Sequence, residues 1–352
     1  MIRIGDRVIG REHPPFVIAE MSGNHNQSLD RALEIVDRAA HAGADAIKLQ
    51  TYTADTLTID RREGEFVISD PPSLWAGRSL YELYQEAHTP WDWQAEIFRR
   101  ARERGLVCLS TPFDATAVDF LEGLDAPCYK IASFENVDLA LVRRVAATGK
   151  PVIISTGMAT VAEIDEAVRA ARDAGCRELV LLKCTSTYPA TPENSNLLTI
   201  PHMRELFGCE VGLSDHTLGV GAAIAGVALG ATVIEKHLTL RRADGGVDSA
   251  FSMEPDEFRQ LVDESRRAWQ ALGSVSYGPV AAERKSLQFR RSLYIVEDVL
   301  PGGVLTESNV RSIRPGYGLP PKYLDAVLGL RLPAGAKRGT PLTWELIGKS
   351  RV

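Results

Sequence analysis

The 352-residue chain contains no run of about 18 apolar residues, the length a membrane-spanning helix needs. Its first residues, Met1-Ile-Arg-Ile-Gly-Asp-Arg, lack the apolar segment of a signal peptide. A cytoplasmic protein with no membrane partner is expected. Positive charge is not in excess either, since 40 Lys and Arg against 46 Asp and Glu give a net charge of −6. That balance excludes a general attraction for nucleic acid or anionic lipid and leaves any phosphate recognition to local groups. The glycines form neither a GxGxxG nor a P-loop followed by Lys-Ser/Thr, so nucleotide binding has no support. The five cysteines (Cys108, Cys128, Cys176, Cys184 and Cys209) are odd in number and lack CxxC spacing, which excludes a zinc ribbon and points to reduced, mostly buried thiols. Cys184 reads as a core thiol with no obvious base beside it. Aromatic residues are few at 7%, but 45% hydrophobic and 24% charged content excludes a disordered chain.

What is present is one repeated alternation, a short β-rich apolar run followed by an amphipathic stretch of helical length, up to about residue 272. The runs Phe16–Glu20, Ala46–Gln50, Val107–Thr111, Tyr129–Ser133, Val152–Thr156, Leu179–Thr185, Glu210–His216 and Thr232–His237 read as strands. Helical patterns include Leu29–Ala42, Trp91–Arg104, Val161–Ala174 and Pro255–Ala271, with Gly43, Gly105, Gly149 and Gly175 at helix ends. Eight such units over residues 1–273 predict an α/β fold of the closed (β/α)8 barrel (TIM barrel) type. Residues 52–90 form too long a connection, and their aromatic content (Trp75, Tyr81, Tyr84) argues for a functional insert. Trp91 and Trp93 read as packing at a helix start. Residues 274–290 are polar and basic and read as a linker, and 291–352 as a small β-rich domain with strands expected at Leu293–Val296 and Leu328–Leu332.

Barrel strands are buried on both faces, so ionisable residues within them require a reason. The period-2 rule places Glu20, Lys48, Gln50, Lys130, Ser155, Ser214, His216, Glu235 and His237 on the interior, near strand C-terminal ends where barrel enzymes hold their chemistry. His216 and His237 end neighbouring strands, about 4.8 Å apart, and can share one divalent cation with positions left open. Glu20 either completes that site or pairs with Lys48. Lys48 and Lys130, with the hydroxyls of Thr111, Ser133, Ser155 and Ser214, suit a small, strongly anionic ligand carrying phosphate and carboxylate. The Ser155-Thr-Gly-Met turn adds backbone N–H groups. Spacing alone does not exclude a Schiff-base aldolase built on one of the lysines. Glu135 is either a general acid or base or a solvated surface charge.

The run Phe16-Val-Ile-Ala-Glu-Met-Ser-Gly-Asn-His-Asn, together with Lys48-Leu-Gln-Thr, Ser110-Thr-Pro-Phe, Tyr129-Lys-Ile-Ala-Ser, Cys184-Thr-Ser-Thr-Tyr-Pro, Gly212-Leu-Ser-Asp-His-Thr and Glu235-Lys-His, resembles the sialic acid synthase family over nearly the whole chain. Two segments, Met21–Leu29 and Ser79–Trp91, are most similar to the members that make pseudaminic acid. The resemblance implies condensation of phosphoenolpyruvate with an N-acylated amino sugar, with Mn2+ or Mg2+ as cofactor, in a barrel followed by an antifreeze-like (SAF, β-clip) domain. It places the metal on His216 and His237 and makes Glu20, Glu135 and both histidines the catalytic candidates. Substrate binding falls to Lys48, Gln50, Thr111, Lys130, Ser133, Ser155, Ser186, Tyr188, Ser214 and Asp248. It also implies a domain-swapped homodimer in which Arg314 caps the partner's barrel. Ser186 departs from the Asn found in sialic-acid-forming members, so that contact is weaker or rebuilt here.

Overall fold

Around Gly5, whose φ of +56° suits glycine, the first residues fold into an antiparallel hairpin of β1 (Ile2–Ile4) and β2 (Arg7–Ile9). In this computed structural model, which describes residues 2–348, the hairpin is followed by eight parallel strands. They are β3 (Phe16–Glu20), β4 (Ala46–Thr51), β5 (Val107–Pro112), β6 (Tyr129–Ile131), β7 (Val152–Ser155), β8 (Leu179–Cys184), β9 (Glu210–Ser214) and β10 (Val233–His237). β10 pairs back onto β3 and closes the barrel, so the expected (β/α)8 architecture is the one found. On the outside run α1 (Leu29–Ala42), the insert helices α2 (Ala54–Leu57) and α3 (Leu80–Ala87), α4 (Trp91–Glu103), α5 (Ala115–Gly123), α6 (Leu139–Ala146), α7 (Val161–Asp173), α8 (Thr199–Phe207), α9 (Gly221–Ala228) and α10 (Pro255–Leu272). Several of their starts are capped by side chains. Ser28 accepts from the Arg31 N–H at 3.3 Å, and Thr160 and Glu163 form a reciprocal capping box at α7.

Alternation along the strands divides the barrel interior into two levels. The lower level is apolar: Phe16, Ile18, Ala46, Leu109, Cys128, Ile153, Val180, Leu182 and Val233 pack together, and Ile2, Ile4 and Ile9 of the hairpin cover them from below. Each fully buried Leu or Ile there contributes about 1.5–3 kcal/mol. Gly212 is required at this level, because a Cβ there would lie 2.3 Å from the Val233 carbonyl oxygen. Asp45 clamps the hairpin by pairing with Arg7 while accepting from the Val17 N–H at 2.8 Å. One residue pair further along each strand, the side chains become Glu20, Lys48, Thr111, Lys130, Ser155, Cys184, Ser214 and Glu235, all buried.

Several strands end one or two residues earlier than their sequence pattern suggests: β6 at Ile131, β7 at Ser155, β8 at Cys184 and β9 at Ser214. At β7 the cause is visible, since Asn136 Nδ2 donates to the carbonyls of Ser155 and Thr156 at 3.1 and 3.0 Å and substitutes for a ladder partner. The early ends release Ser133, His216 and their neighbours into loops at the barrel mouth.

The chain divides into two compact units on either side of Gly273. The second opens with a 3-10 turn, Ala281–Phe289, and holds its own core of Leu293, Ile295, Val299, Leu305, Val310, Leu319, Val327, Leu332 and Leu342. β11 (Ser292–Ile295) lies where expected and pairs with β12 (Val310–Ile313). The expected strand at Leu328–Leu332 is instead a turn and a single bridge between Arg331 and Val304. Gly329, at φ +84°, breaks its extension, so apolar content there reports core packing rather than a ladder.

Candidate active site

Four buried ionisable side chains from four strands meet at the upper level. Lys48 Nζ lies 2.6 Å from Glu20 Oε2 and 3.9 Å from Glu235 Oε2, and Lys130 Nζ donates to Glu235 Oε1 at 3.1 Å. Ser214 also donates to Glu235 Oε1, at 3.0 Å, and Lys48 reaches Thr111 Oγ1 at 3.3 Å. Of the two roles the sequence left open for Glu20, the ion pair with Lys48 is formed. Glu20 Oε1 accepts from Gln50 at 2.9 Å, and Gln50 continues to Ser22 Oγ at 3.1 Å. Burial alone would raise the proton affinity of Glu235, but the ammonium groups of Lys130 and Lys48 outweigh it and hold that carboxylate low, at about 2. Glu20 moves the other way, raised mainly by burial. Glu20 and Glu235 thus pair with the two lysines in the absence of ligand. Glu235, which sequence reading placed inside the barrel without a role, is the counter-ion that holds both.

Beside this cluster the rings of His216 and His237 lie 5.4 Å apart, centroid to centroid. His216 Nδ1 donates to the Thr185 carbonyl at 3.0 Å, which leaves Nε2 as the lone-pair nitrogen. Cys184 Sγ is 4.0 Å from the same Nδ1 and 3.7 Å from Ser186 Oγ. Its reading as a thiol without a nearby base is corrected: against the opposing effect of burial, the contact with His216 brings the Cys184 thiol down to about 6 and raises the His216 imidazole. His237 is partly buried at the cavity, and desolvation first, then the neighbouring imidazole and ammonium groups, keeps it neutral. Its Nδ1 has no hydrogen-bond partner among the described residues. A neutral His237 with an unused buried nitrogen, 5.4 Å from the His216 ring, fits a divalent cation. No cluster of three or more His, Cys, Asp or Glu able to hold a metal occurs among the described residues.

Hydroxyls gather around Gly157. Gly157, at φ +47°, approaches so closely that a Cβ would lie 2.7 Å from Ser133 Oγ and 2.8 Å from Ser186 Oγ. Ser155 Oγ is buried nearby in sequence with no partner. The N–H groups of Thr156 and Ala159 in this turn are already committed, to Leu182 and Thr156 carbonyls at 2.9 Å, so side-chain hydroxyls supply much of the donor capacity here. Glu135, on the loop after β6, is no solvated surface charge. Its Oε2 is buried without a partner, and burial pushes its carboxyl up to about 7.

Above these groups opens a cavity of about 340 Å3. One part is polar, with Ser22, Gln50, Glu135, His237 and Asp248. The other is apolar, with Leu57, Ile68, Trp75, Leu80, Leu83 and Phe113, mostly from the insert. Asp248 accepts from Ser22 Oγ, and burial raises its carboxyl. Tyr188 lies 4.6 Å from the His216 ring and 5.9 Å from Trp75, whose Nε1 donates to the Val247 carbonyl at 3.0 Å. The aromatic insert thus forms a wall of the site, and Ser22, Tyr52 and Phe113 join it without having been singled out in the sequence. Arg314 is exposed in the turn after β12 of the second unit.

The model of the NeuB family matches residues 35–277, and that of the SAF domain residues 290–347. The chain belongs to the NeuB family. Among relatives of this NeuB-family enzyme, the pseudaminic acid synthase of Helicobacter pylori is 42% identical, with 96% of this chain and 99% of that protein covered. The pseudaminic acid synthase of Campylobacter jejuni serotype O:2 is 44% identical over 93% and 95%. The N,N'-diacetyllegionaminic acid synthase of Legionella pneumophila is 34% identical over 94% of both. Among solved structures, N-acetylneuraminic acid synthetase from Leptospira borgpetersenii superposes with a TM-score of 0.73 at 31% identity, over 82% of this chain and 95% of that one.

Proposed function

We propose that the enzyme condenses phosphoenolpyruvate with 2,4-diacetamido-2,4,6-trideoxy-L-altrose and water to give pseudaminic acid and phosphate. The observation that carries this reading is a set of buried, unpartnered polar atoms at one mouth: Ser155 Oγ, Glu135 Oε2 and His237 Nδ1. Each unsatisfied buried group costs about 1–3 kcal/mol, a penalty that a bound ligand relieves. The relatives at 42–44% identity support the sugar, and so does the divided cavity, whose apolar part suits a deoxy, methyl-bearing end.

In this reading Lys48 and Lys130, with Thr111, Ser133, Ser155 and Ser214, hold the phosphate and carboxylate of phosphoenolpyruvate and fix C3 toward the sugar aldehyde. Ser22, Gln50, Ser186, Tyr188 and Asp248 orient the sugar. Glu135, protonated near neutral pH, gives its proton to the former aldehyde oxygen as the C–C bond forms. Water then adds at C2 and phosphate leaves with its C–O bond broken. His216 and His237 would hold Mn2+ or Mg2+, whose contribution when bound is Lewis-acid polarisation of a carbonyl. We place the reaction in the cytoplasm; no helix among the described residues is long and apolar enough to cross a membrane. We further propose that Arg314 serves the barrel of a second copy in a domain-swapped dimer. Mixing Arg314→Ala with an otherwise inactive barrel variant should then restore activity.

Phosphate release measured across a panel of amino sugars tests the main proposal. Release with the altrose derivative is expected. Release only with N-acetylmannosamine or the legionaminic acid precursor would overturn the sugar assignment. Trapping of a pyruvate adduct by borohydride would favour the Schiff-base aldolase instead.

A further inference from the structure

Lys236 is one of the largest fully enclosed side chains of the molecule, and the proposed reaction does not use it. It belongs to the face of β10 opposite Glu235 and His237, so it points away from the barrel interior. There its Nζ donates to Asp215 Oδ2 at 2.7 Å and to the Thr217 carbonyl at 2.6 Å, the residues immediately before and after His216. Asp215 Oδ1 accepts from the Thr217 N–H at 2.9 Å, which closes a tight loop around His216, and the Asp215 N–H donates to the Glu235 carbonyl at 2.9 Å. β9 has already ended at Ser214, and beyond it the backbone is tied on the β8 side only by the Ala190 N–H, which donates to the His216 carbonyl at 3.0 Å. One ammonium group, adjacent in sequence to His237, therefore grips both flanks of His216.

We propose that Lys236 and Asp215 are a positioning pair that holds the His216 and His237 imidazoles at the spacing needed to share one divalent cation. This rests on the two-histidine metal reading above. The pair touches neither cation nor substrate; it acts through the backbone of residues 215–217. A buried ion pair is weak evidence for stability as such, because a well-packed neutral pair often does as well. Control of geometry is the better account of its presence here.

The test measures Mn2+ affinity of the full-length protein by electron paramagnetic resonance, with thermal unfolding of the metal-free protein alongside. The proteins are wild type, His237→Ala, Lys236→Met, Lys236→Arg and the double variant Asp215→Asn/Lys236→Met. Loss of an outer-shell support typically weakens metal binding about 10–100-fold. That loss is expected for Lys236→Met and for the double variant, which leaves no buried charge uncompensated and so keeps the fold. Lys236→Arg should recover part of the affinity, and phosphoenolpyruvate binding followed by tryptophan fluorescence should stay near wild type. A folded double variant that binds Mn2+ within twofold of wild type would overturn the pair's role while leaving the metal reading intact. Wild type that binds Mn2+ no better than His237→Ala would overturn both.

Discussion

The two levels of the barrel interior are built by the same strands, yet they do opposite things. On β3, Ile18 is packed against hairpin and barrel apolar groups, whereas Glu20, two residues on, is an ion-pair member. The same step leads from Cys128, just before β6, to Lys130 and on β10 from Val233 to Glu235. A lower level that is apolar and sealed holds the barrel closed whatever happens above. The upper level can then tolerate two buried ammonium groups, two carboxylates and several unpartnered atoms, an arrangement that would be a poor core by itself.

Substitutions at each level should separate these contributions. The largest effect is expected from Lys130→Ala, which removes a donor to the anion and leaves Glu235 short of a partner. Phosphate release should fall about 10^2–10^3-fold. Leu182→Ala, one level below, should cost about 2–5 kcal/mol in urea unfolding while kcat/KM of the folded fraction changes less than threefold. If both substitutions lost activity and stability together, the division between levels would fail.

Next comes pH. The Glu135 carboxyl is raised from 4.5 to about 7, so its acid form is present below pH 7 and lost above it. As a general acid it should make kcat/KM fall about tenfold per pH unit above that point, and Glu135→Gln should flatten this limb. The sign for stability follows from linkage. Between about 4.5 and 7 the folded state binds the proton that the unfolded state has lost, so folding weakens as pH rises. Glu135→Gln should accordingly melt higher than wild type at pH 8. The smallest effect is expected from Trp75→Phe, which keeps an aromatic wall but loses the hydrogen bond to Val247. It should raise KM for the sugar severalfold with kcat nearly unchanged.

Much of the upper level was legible because strand parity is local. Once Phe16–Glu20 or Thr232–His237 is read as a barrel strand, its inward residues follow without knowledge of the rest. The role of Glu235 was not legible, since it depends on Lys48 and Lys130 arriving from other strands at 3.9 and 3.1 Å. Cys184 was misjudged for the same reason: its neighbour His216 lies 32 positions away. Residues on loops, such as Tyr188 and Asp248, drew their assignment from the family resemblance, because loop conformation is set by partners such as Trp75 and Ser22 that no periodicity reveals. At Leu328–Leu332 apolar content suggested a strand, and a single left-handed glycine was enough to prevent it.

The hairpin of Ile2, Ile4 and Ile9 turns the barrel from a pipe into a cup. Whatever rests on the floor of a cup must be put in before the layer above and cannot drain out beneath. With the lysines just above that floor and the aromatic cavity over them, the proposed reading has the three-carbon reactant enter ahead of the sugar. In that reading a sugar that arrives too early stands in the way, so excess sugar should slow turnover and extra phosphoenolpyruvate should relieve it.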